Sequence, residues 1–209
     1  MKEKNRTLSD KKIEQNITLF DGWAKTYDKP LFQFWMRKFY QPALKLIDSG
    51  KVLDVSCGTG EFLRELAKKK KKITLYGIDL SSHMIAKART KLGKKINMQT
   101  ADVHQLPFPE DSFDYVVSTE SFHHYYDQSK ALAEMKRVAK KGGTIVIVDI
   151  NFFLKPIHWL FEKFEPGCVK VNSRKEMRDL FRKVGLHNII QFRSFIFSVL
   201  TTGVKNENK

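Results

Sequence analysis

The stretch "VLDVSCGTGEF", Val52 to Phe62, starts as a short apolar run, turns at Gly58 and Gly60, and passes into the helix-forming "EFLRELAKK". A strand that ends in a glycine-bearing turn and opens a helix is the form of a nucleotide-binding loop. The dinucleotide pattern G-x-G-x-x-G nevertheless fits no frame here. Counted from Gly58 its third glycine falls on Leu63, and counted from Ser56 it falls on Glu61. The phosphate loop G-x-x-x-x-G-K-[ST] is missing as well. What remains is a sharp turn that lets a ligand approach the backbone without being shaped for phosphate. Ser56 stands where a first glycine is usual, and it is small enough for the turn while bringing a hydroxyl donor.

Outward from this loop the chain alternates β-branched runs with helical patterns, the sign of a parallel sheet covered by helices. Strands are expected at Lys51–Val55, Ile73–Asp79, Ile96–Thr100, Phe113–Ser118 and Thr144–Ile150, and helices at Glu61–Lys69, Ser82–Leu92 and Gln128–Ala139. Ser81 or Ser82 can cap the second helix, and Gly93 and Gly142 can stop the second and third. A further helix at Ser173–Lys183 precedes two strand-like runs, His187–Arg193 and Phe195–Thr202. Their link at Ser194 is too short for a crossover, so the pair must be antiparallel. The expected fold is α/β, a Rossmann-like, doubly wound, mostly parallel seven-stranded sheet with an antiparallel last strand and helices on both faces. Residues 1–48 read as an N-terminal helical cap or lid, with helices around Ser9–Phe20 and Leu31–Ile47 flanking "FDGWAKTYDKP". Residues 49–203 form the core, with an aromatic insertion at 151–172, and 204–209 read as a disordered tail.

With 209 residues, of which 42% are hydrophobic, the chain can bury a substantial core. No apolar run approaches the roughly 20 residues needed to cross a bilayer, and the polar start "MKEKNRTLSDKK" has no secretory h-region. A cytoplasmic protein is expected. Cys57 and Cys168 are too few for a disulfide framework and show no zinc-site spacing, so free thiols and no metal are expected. The net charge of +15 invites a nucleic-acid partner. Its densest run, Lys68–Lys72, falls between a helix end and the next strand, where cations complement the helix terminus and stay solvated. A generally lysine-rich surface is the favoured reading.

The acidic residues say more about the ligand. Asp54 lies near the end of the first strand, Asp79 ends the second and Asp102 follows the third, so a right-handed parallel sheet brings all three to its carboxyl edge. Carboxylates there favour hydroxyls, amino groups or positive charge and oppose a pyrophosphate. Asp79 follows Gly60 by 19 positions, close to the roughly 20 at which an acid grips a ribose diol. A nucleoside with a cationic tail fits.

At this point the chain resembles the class I S-adenosylmethionine-dependent methyltransferases of the small-molecule group that includes the ubiquinone/menaquinone C-methyltransferases. "VLDVSCGTGEF" resembles that family's first motif, "YGIDLSSHMIAKAR" its second, "ADVHQLPFPEDSFDYVVSTESFHHY" its third and fourth, and "MKRVAKKGGTIVIVD" the lead into strand five. "FDGWAKTYD" resembles the leader before the sheet. The resemblance implies S-adenosylmethionine as cofactor, with S-adenosylhomocysteine as product. It places Ser56, Gly58 and Gly60 at the methionine part, with Asp54 holding that end through the loop. It places Asp79 on both ribose hydroxyls, Leu80 and Met84 beside the adenine, Asp102 on the adenine amino group with Val103 N–H beside it, and Thr119 facing the methionine amino group. Ser56 in place of the family's glycine is the main departure. Cys57 is read as a packed loop residue rather than a nucleophile, having no base partner in sequence.

Methyl transfer from a sulfonium needs alignment and a dry pocket, and it needs a base only when the acceptor must lose a proton. His123 and His124, just after strand four, are the base candidates, and Tyr27 in the leader can reach donor or acceptor as a catalytic or lid residue. Phe152, Phe153, Trp159, Phe161 and Phe164 either line an acceptor pocket or pack on the sheet as an amphipathic helix, the second being favoured. Lys155 and Lys163 beside them suit peripheral contact with a membrane surface. The expected partner is a small, hydrophobic or aromatic methyl acceptor, and the chain reads as a monomer or homodimer. RNA methylation and non-catalytic cofactor binding are the competing readings.

Overall fold

The computed structural model describes residues 8–23, 30–69, 72–93, 96–152 and 154–206. Two helices, α1 (Leu8–Trp23) and α2 (Pro30–Leu46), precede β1 (Gly50–Val55), α3 (Glu61–Lys69), β2 (Ile73–Asp79), α4 (Ser82–Leu92) and β3 (Asn97–Thr100). The chain continues through β4 (Phe113–Thr119), a 3₁₀ turn at Phe122–His124, α5 (Gln128–Val138) and β5 (Ala139–Ile150). It ends with α6 (Lys155–Phe164), α7 (Arg174–Lys183), β6 (Leu186–Phe195) and β7 (Ser198–Lys205). The strands form one sheet in the order β3-β2-β1-β4-β5-β7-β6. β7 runs antiparallel to both of its neighbours and every other pair is parallel. The chain steps outward from β1 to β3 and then returns across β1 to β4, which opens a crevice at the carboxyl ends of β1 and β4, where such sheets hold ligands.

Strand alternation sorts the core into two layers. Leu53, Val55, Val116, Ile145 and Ile147 meet Leu132, Met135 and Phe181 from α5 and α7. Val52, Val117, Val146 and Val148 meet Ala43 and Leu44 of α2, Leu63 and Leu66 of α3, and Ile85 and Ala88 of α4. Because both faces are covered, the central strands read as nearly unbroken apolar runs. Each fully buried aliphatic side chain contributes about 1.5–3 kcal/mol.

Capping explains the helix boundaries near the site. Ser81 Oγ accepts from Met84 N at 3.0 Å and Gly93 closes α4 at φ 68°. Asp127 caps α5 by accepting from Lys130 N. Ser173 and Glu176 form a reciprocal capping box on α7.

The structure departs from the sequence reading in four places. α5 ends at Val138 and β5 begins at Ala139, so Gly142 (φ 73°) sits within an irregularity of the β4–β5 pairing instead of stopping a helix. The β6–β7 turn falls at residues 196–197, beyond Ser194. β7 extends through Lys205, whose ammonium donates to Asp111 and to the carbonyls of Arg137 and Ala139, so the sheet enters the segment read as a disordered tail. The segment 151–167 forms α6, but its aromatics are not a core face: Trp159 is 60% exposed and Phe164 70%, while His158 is its buried residue. Phe153 and Tyr27 lie outside the described residues.

Candidate active site

The crevice holds a cavity of about 450 Å³, within the range of small-molecule sites. β1 divides much of its lining into two groups. On the β2–β3 side stand Ser56, Gly58, Asp79, Leu80, Met84, Asp102 and Val103; on the β4–β5 side stand Glu120, His123, His124 and Glu165. Ile13, Asn16 and Phe20 of α1 and Met36 and Phe39 of α2 complete the wall, with Ile150 and Phe161. No Lys or Arg occurs among the described lining residues, although the chain carries a net charge of +15.

The loop after β1 is fixed by its own backbone. Ser56 adopts φ 65°, a left-handed conformation that costs a residue with Cβ roughly 1–2 kcal/mol. Its hydroxyl lies 2.9 Å from Tyr125 Oη, which also meets Ser118 Oγ at 2.9 Å. A neutral hydrogen bond is worth about 0.5–1.5 kcal/mol, enough to offset much of that strain. Cys57 is buried against Gly77, where any Cβ would come within 2.9 Å of its Sγ. Burial, followed by Asp54 and Asp79, pushes the thiol well up, so it stays neutral, as a packing residue should.

Asp79 accepts from Gly58 N at 2.8 Å and Ser81 N at 2.9 Å, one on each oxygen. Burial raises its pKa to about 6 against these hydrogen bonds. Each oxygen keeps capacity for another donor, as a diol requires. Asp102 Oδ1 accepts from the backbone and ring Nδ1 of His104 at 2.9 and 2.6 Å, and Oδ2 accepts from Tyr126 Oη at 3.1 Å. Because His104 Nε2 accepts from Asp127 N, its proton resides on Nδ1. Burial acts to raise Asp102, and the His104 contacts outweigh it, leaving the carboxylate below its ordinary range.

Three expected cofactor residues do not line this cavity. Thr119 borders a small adjoining cleft shared with Ser56 and Gly58. Gly60 sits beneath the loop, where a Cβ would strike Leu92 at 2.5 Å. Asp54 is buried below the turn with both oxygens unpartnered, and burial, then Asp79, holds its pKa well above the ordinary value. An unpartnered buried carboxyl under the loop, carboxylates at the next two strand ends and no cation among the described lining residues fit a ligand bearing hydroxyls and positive charge.

The second half differs in kind. His123 Nδ1 lies 2.6 Å from Asp149 Oδ1, both side chains being buried, and Asp149 Oδ2 has no partner. His124 lies beside it with its ring 4.1 Å from that of His123, edge-on to Phe20. Burial, then His123, lowers the His124 pKa to about 3, and its Nδ1 is buried without a partner. Asn16 Nδ2 donates to the His124 carbonyl, tying α1 across this corner. Glu120 is pushed well up by burial, then by Asp149. Sequence reading missed Asp149, Glu120, Glu165, His104 and Tyr125. Asp149 was detectable, since "IVIVDI" carries a carboxylate toward a strand end just as the other three strands do.

The family model for a methyltransferase domain matches residues 53–147. The chain is 33% identical to a ubiquinone/menaquinone biosynthesis C-methyltransferase of Geobacter sulfurreducens, covering 93% of this chain and 90% of that protein. It is 31% identical to the Geotalea daltonii protein of the same name, over 77% and 74% of the two chains. Among solved structures, a chain from the complex between the Haloferax volcanii Trm112 methyltransferase activator and a methyltransferase superposes with a TM-score of 0.78 at 26% identity, covering 90% of this chain and 98% of that one. A methyltransferase from Aquifex aeolicus shares the fold, with a TM-score of 0.71 at 24% identity over 88% and 97% of the two chains. With the motif order, the sheet topology and these relatives in agreement, the chain belongs to the class I S-adenosylmethionine-dependent methyltransferases.

Proposed function

We propose that the chain methylates a small, uncharged, apolar or aromatic metabolite, releasing S-adenosylhomocysteine. The observation that carries this reading is the composition of the cavity, which has aromatic walls in Phe20, Phe39 and Phe161 and no lining cation among the described residues. Nucleic acid or an anionic metabolite would need Lys or Arg at this mouth. No described residue supplies such a charge to the lining, so RNA is the weaker reading.

In this assignment Asp79 takes the ribose diol and Leu80 and Met84 border the adenine. Asp102 accepts from the adenine amino group with the capacity left on Oδ2, next to Val103 N–H. Ser56, Gly58 and Thr119 lie along the methionine part, and Asp54 and Gly60 support the loop from below. S-adenosylmethionine supplies an electrophilic methyl group on a sulfonium. The chain's own contribution is alignment and exclusion of water, with α1 and α2 covering the crevice.

Calorimetry with S-adenosylmethionine, followed by turnover of labelled donor against a metabolite extract fractionated by polarity, tests the reading. Label is expected in the apolar, uncharged fraction. Absence of binding, or label appearing in RNA or in anionic metabolites, would overturn it.

A further inference from the structure

We propose that His123 is the general base of the transfer and that Asp149 is its positioning residue, so that the acceptor is a neutral, weakly acidic molecule of phenol type that loses a proton as it is methylated. This rests on the reading of the cavity as a methyl-transfer site, and it goes further by naming the group that receives the acceptor's proton.

His123 stands at the cavity wall and engages Asp149 through Nδ1. A carboxylate 2.6 Å from Nδ1 holds the proton on that nitrogen and leaves the lone pair on Nε2, which also fixes the ring's orientation. The ring's backbone is pinned as well, its carbonyl accepting from Val169 N and Lys170 N. The titratable groups around it are Asp149 from β5, which touches the ring, His124 beside it, Glu165 after α6, and Glu120 after β4, which shares the cavity wall. Burial, then Asp149, raises Glu120 well above the ordinary carboxyl range, and burial raises Glu165 against the opposing influence of His123. The carboxylate that touches the ring is Asp149, which can stabilise the imidazolium that proton uptake creates.

The alternative base does not serve. His124 has a pKa of about 3, is tied through its carbonyl to Asn16 and leaves Nδ1 unpartnered in the core. Such an imidazole gains no proton near neutral pH.

The step balances. The acceptor's X–H proton passes to His123 Nε2, the freed electron pair on X forms the new bond to the methyl carbon, and the carbon–sulfur bond breaks with its pair going to sulfur. The sulfonium becomes a neutral thioether and the imidazolium returns its proton to solvent. An acceptor that arrives as an anion has no proton to give and no cation to meet it among the described lining residues, which is why a neutral weak acid is the matching class.

The test uses 4-nitrophenol as the probe, with the full chain saturated by S-adenosylhomocysteine at pH 6, because its absorbance distinguishes phenol from phenolate. The wild-type chain is expected to bind the probe and raise its phenolate fraction above that in buffer. An opposite charge in contact shifts a pKa by roughly 1–3 units, so Asp149→Asn and His123→Gln are expected to lower the bound phenolate-to-phenol ratio at least about tenfold, with Asp149→Glu restoring part of it. Affinity for S-adenosylhomocysteine, measured by calorimetry on the same samples, is expected within about twofold of wild type in all three variants and shows that each is folded. Probe bound as phenol by wild type, an equal phenolate signal in Asp149→Asn, or no probe binding would each overturn the proposal while the calorimetry stands. Loss of cofactor binding in the wild-type chain would instead overturn the reading beneath it.

Discussion

The carboxylates on the two sides of β1 are held in opposite ways. Asp79 and Asp102 are locked by donors from the backbone, from His104 and from Tyr126, and each points a prepared acceptor at the cavity. Across the strand, Asp149 and Glu120 carry buried oxygens without partners beside an imidazole pair. The first side is suited to hold a ligand in one pose, since donors fix the orientation of its carboxylates before anything binds, even though burial still lifts Asp79 to about 6. The second leaves buried carboxyl oxygens uncompensated next to two imidazoles, and in the proposed transfer it is the side that takes up the acceptor's proton.

The largest effect expected on the holding side comes from Asp79→Ala. Hydrogen bonds to a charged acceptor are worth about 1.5–3 kcal/mol each, and Gly58 N and Ser81 N lose their anchor too. Affinity for S-adenosylmethionine should fall about 100-fold or more by calorimetry. A similar loss in Asp149→Asn would erase the distinction between the two sides.

An intermediate effect follows from pH. Asp79 has a folded pKa of about 6 against an ordinary 3.8. In the proposed assignment its carboxylate is the form that accepts ribose hydroxyls, so affinity should fall as pH drops through about 6, approaching tenfold per unit below it. The sign for folding is the reverse. A carboxyl whose folded pKa is raised contributes stability that is present below 3.8 and is lost as pH rises to about 6. Urea titrations at pH 4 and pH 7 should therefore show Asp79→Asn gaining on wild type at the higher pH. Affinity independent of pH from 5 to 7 would show that Asp79 does not hold the ligand.

The smallest effect is at Ser56. Ser56→Gly removes the left-handed strain and the Tyr125 hydrogen bond together, so stability should stay within about 1 kcal/mol of wild type. Ser56→Ala keeps the strain and loses the bond, and should be the less stable of the two. The reverse order in thermal denaturation would show that the hydroxyl does not offset the backbone.

The holding side was largely legible in the sequence because its residues are local to strand ends: Asp79 closes β2 and Asp102 follows β3, and strand order alone brings them together. The proton-handling side was half legible. "FHHY" announced imidazoles, but the pairing of His123 with Asp149 spans 26 residues and depends on β4 lying next to β5. The two histidines differ in that partner and not in burial, since both are buried and only His123 meets Asp149, and two adjacent identical letters cannot encode that difference. For α6, periodicity showed an apolar helix but not what would cover it, and Trp159 and Phe164 remain at the surface. Ser56 was legible as a departure, while its positive φ and its bond to Tyr125, 69 residues away, were not.

That bond joins the two sides. Tyr125 follows the two histidines directly, and its hydroxyl rests against the loop at Ser56 and against β4 at Ser118. Any ligand that shifts the loop therefore works on the turn carrying His123, and the thermodynamic consequence is mutual. If donor occupancy changes acceptor affinity by some factor, acceptor occupancy must change donor affinity by the same factor, and Tyr125→Phe should bring that factor toward one.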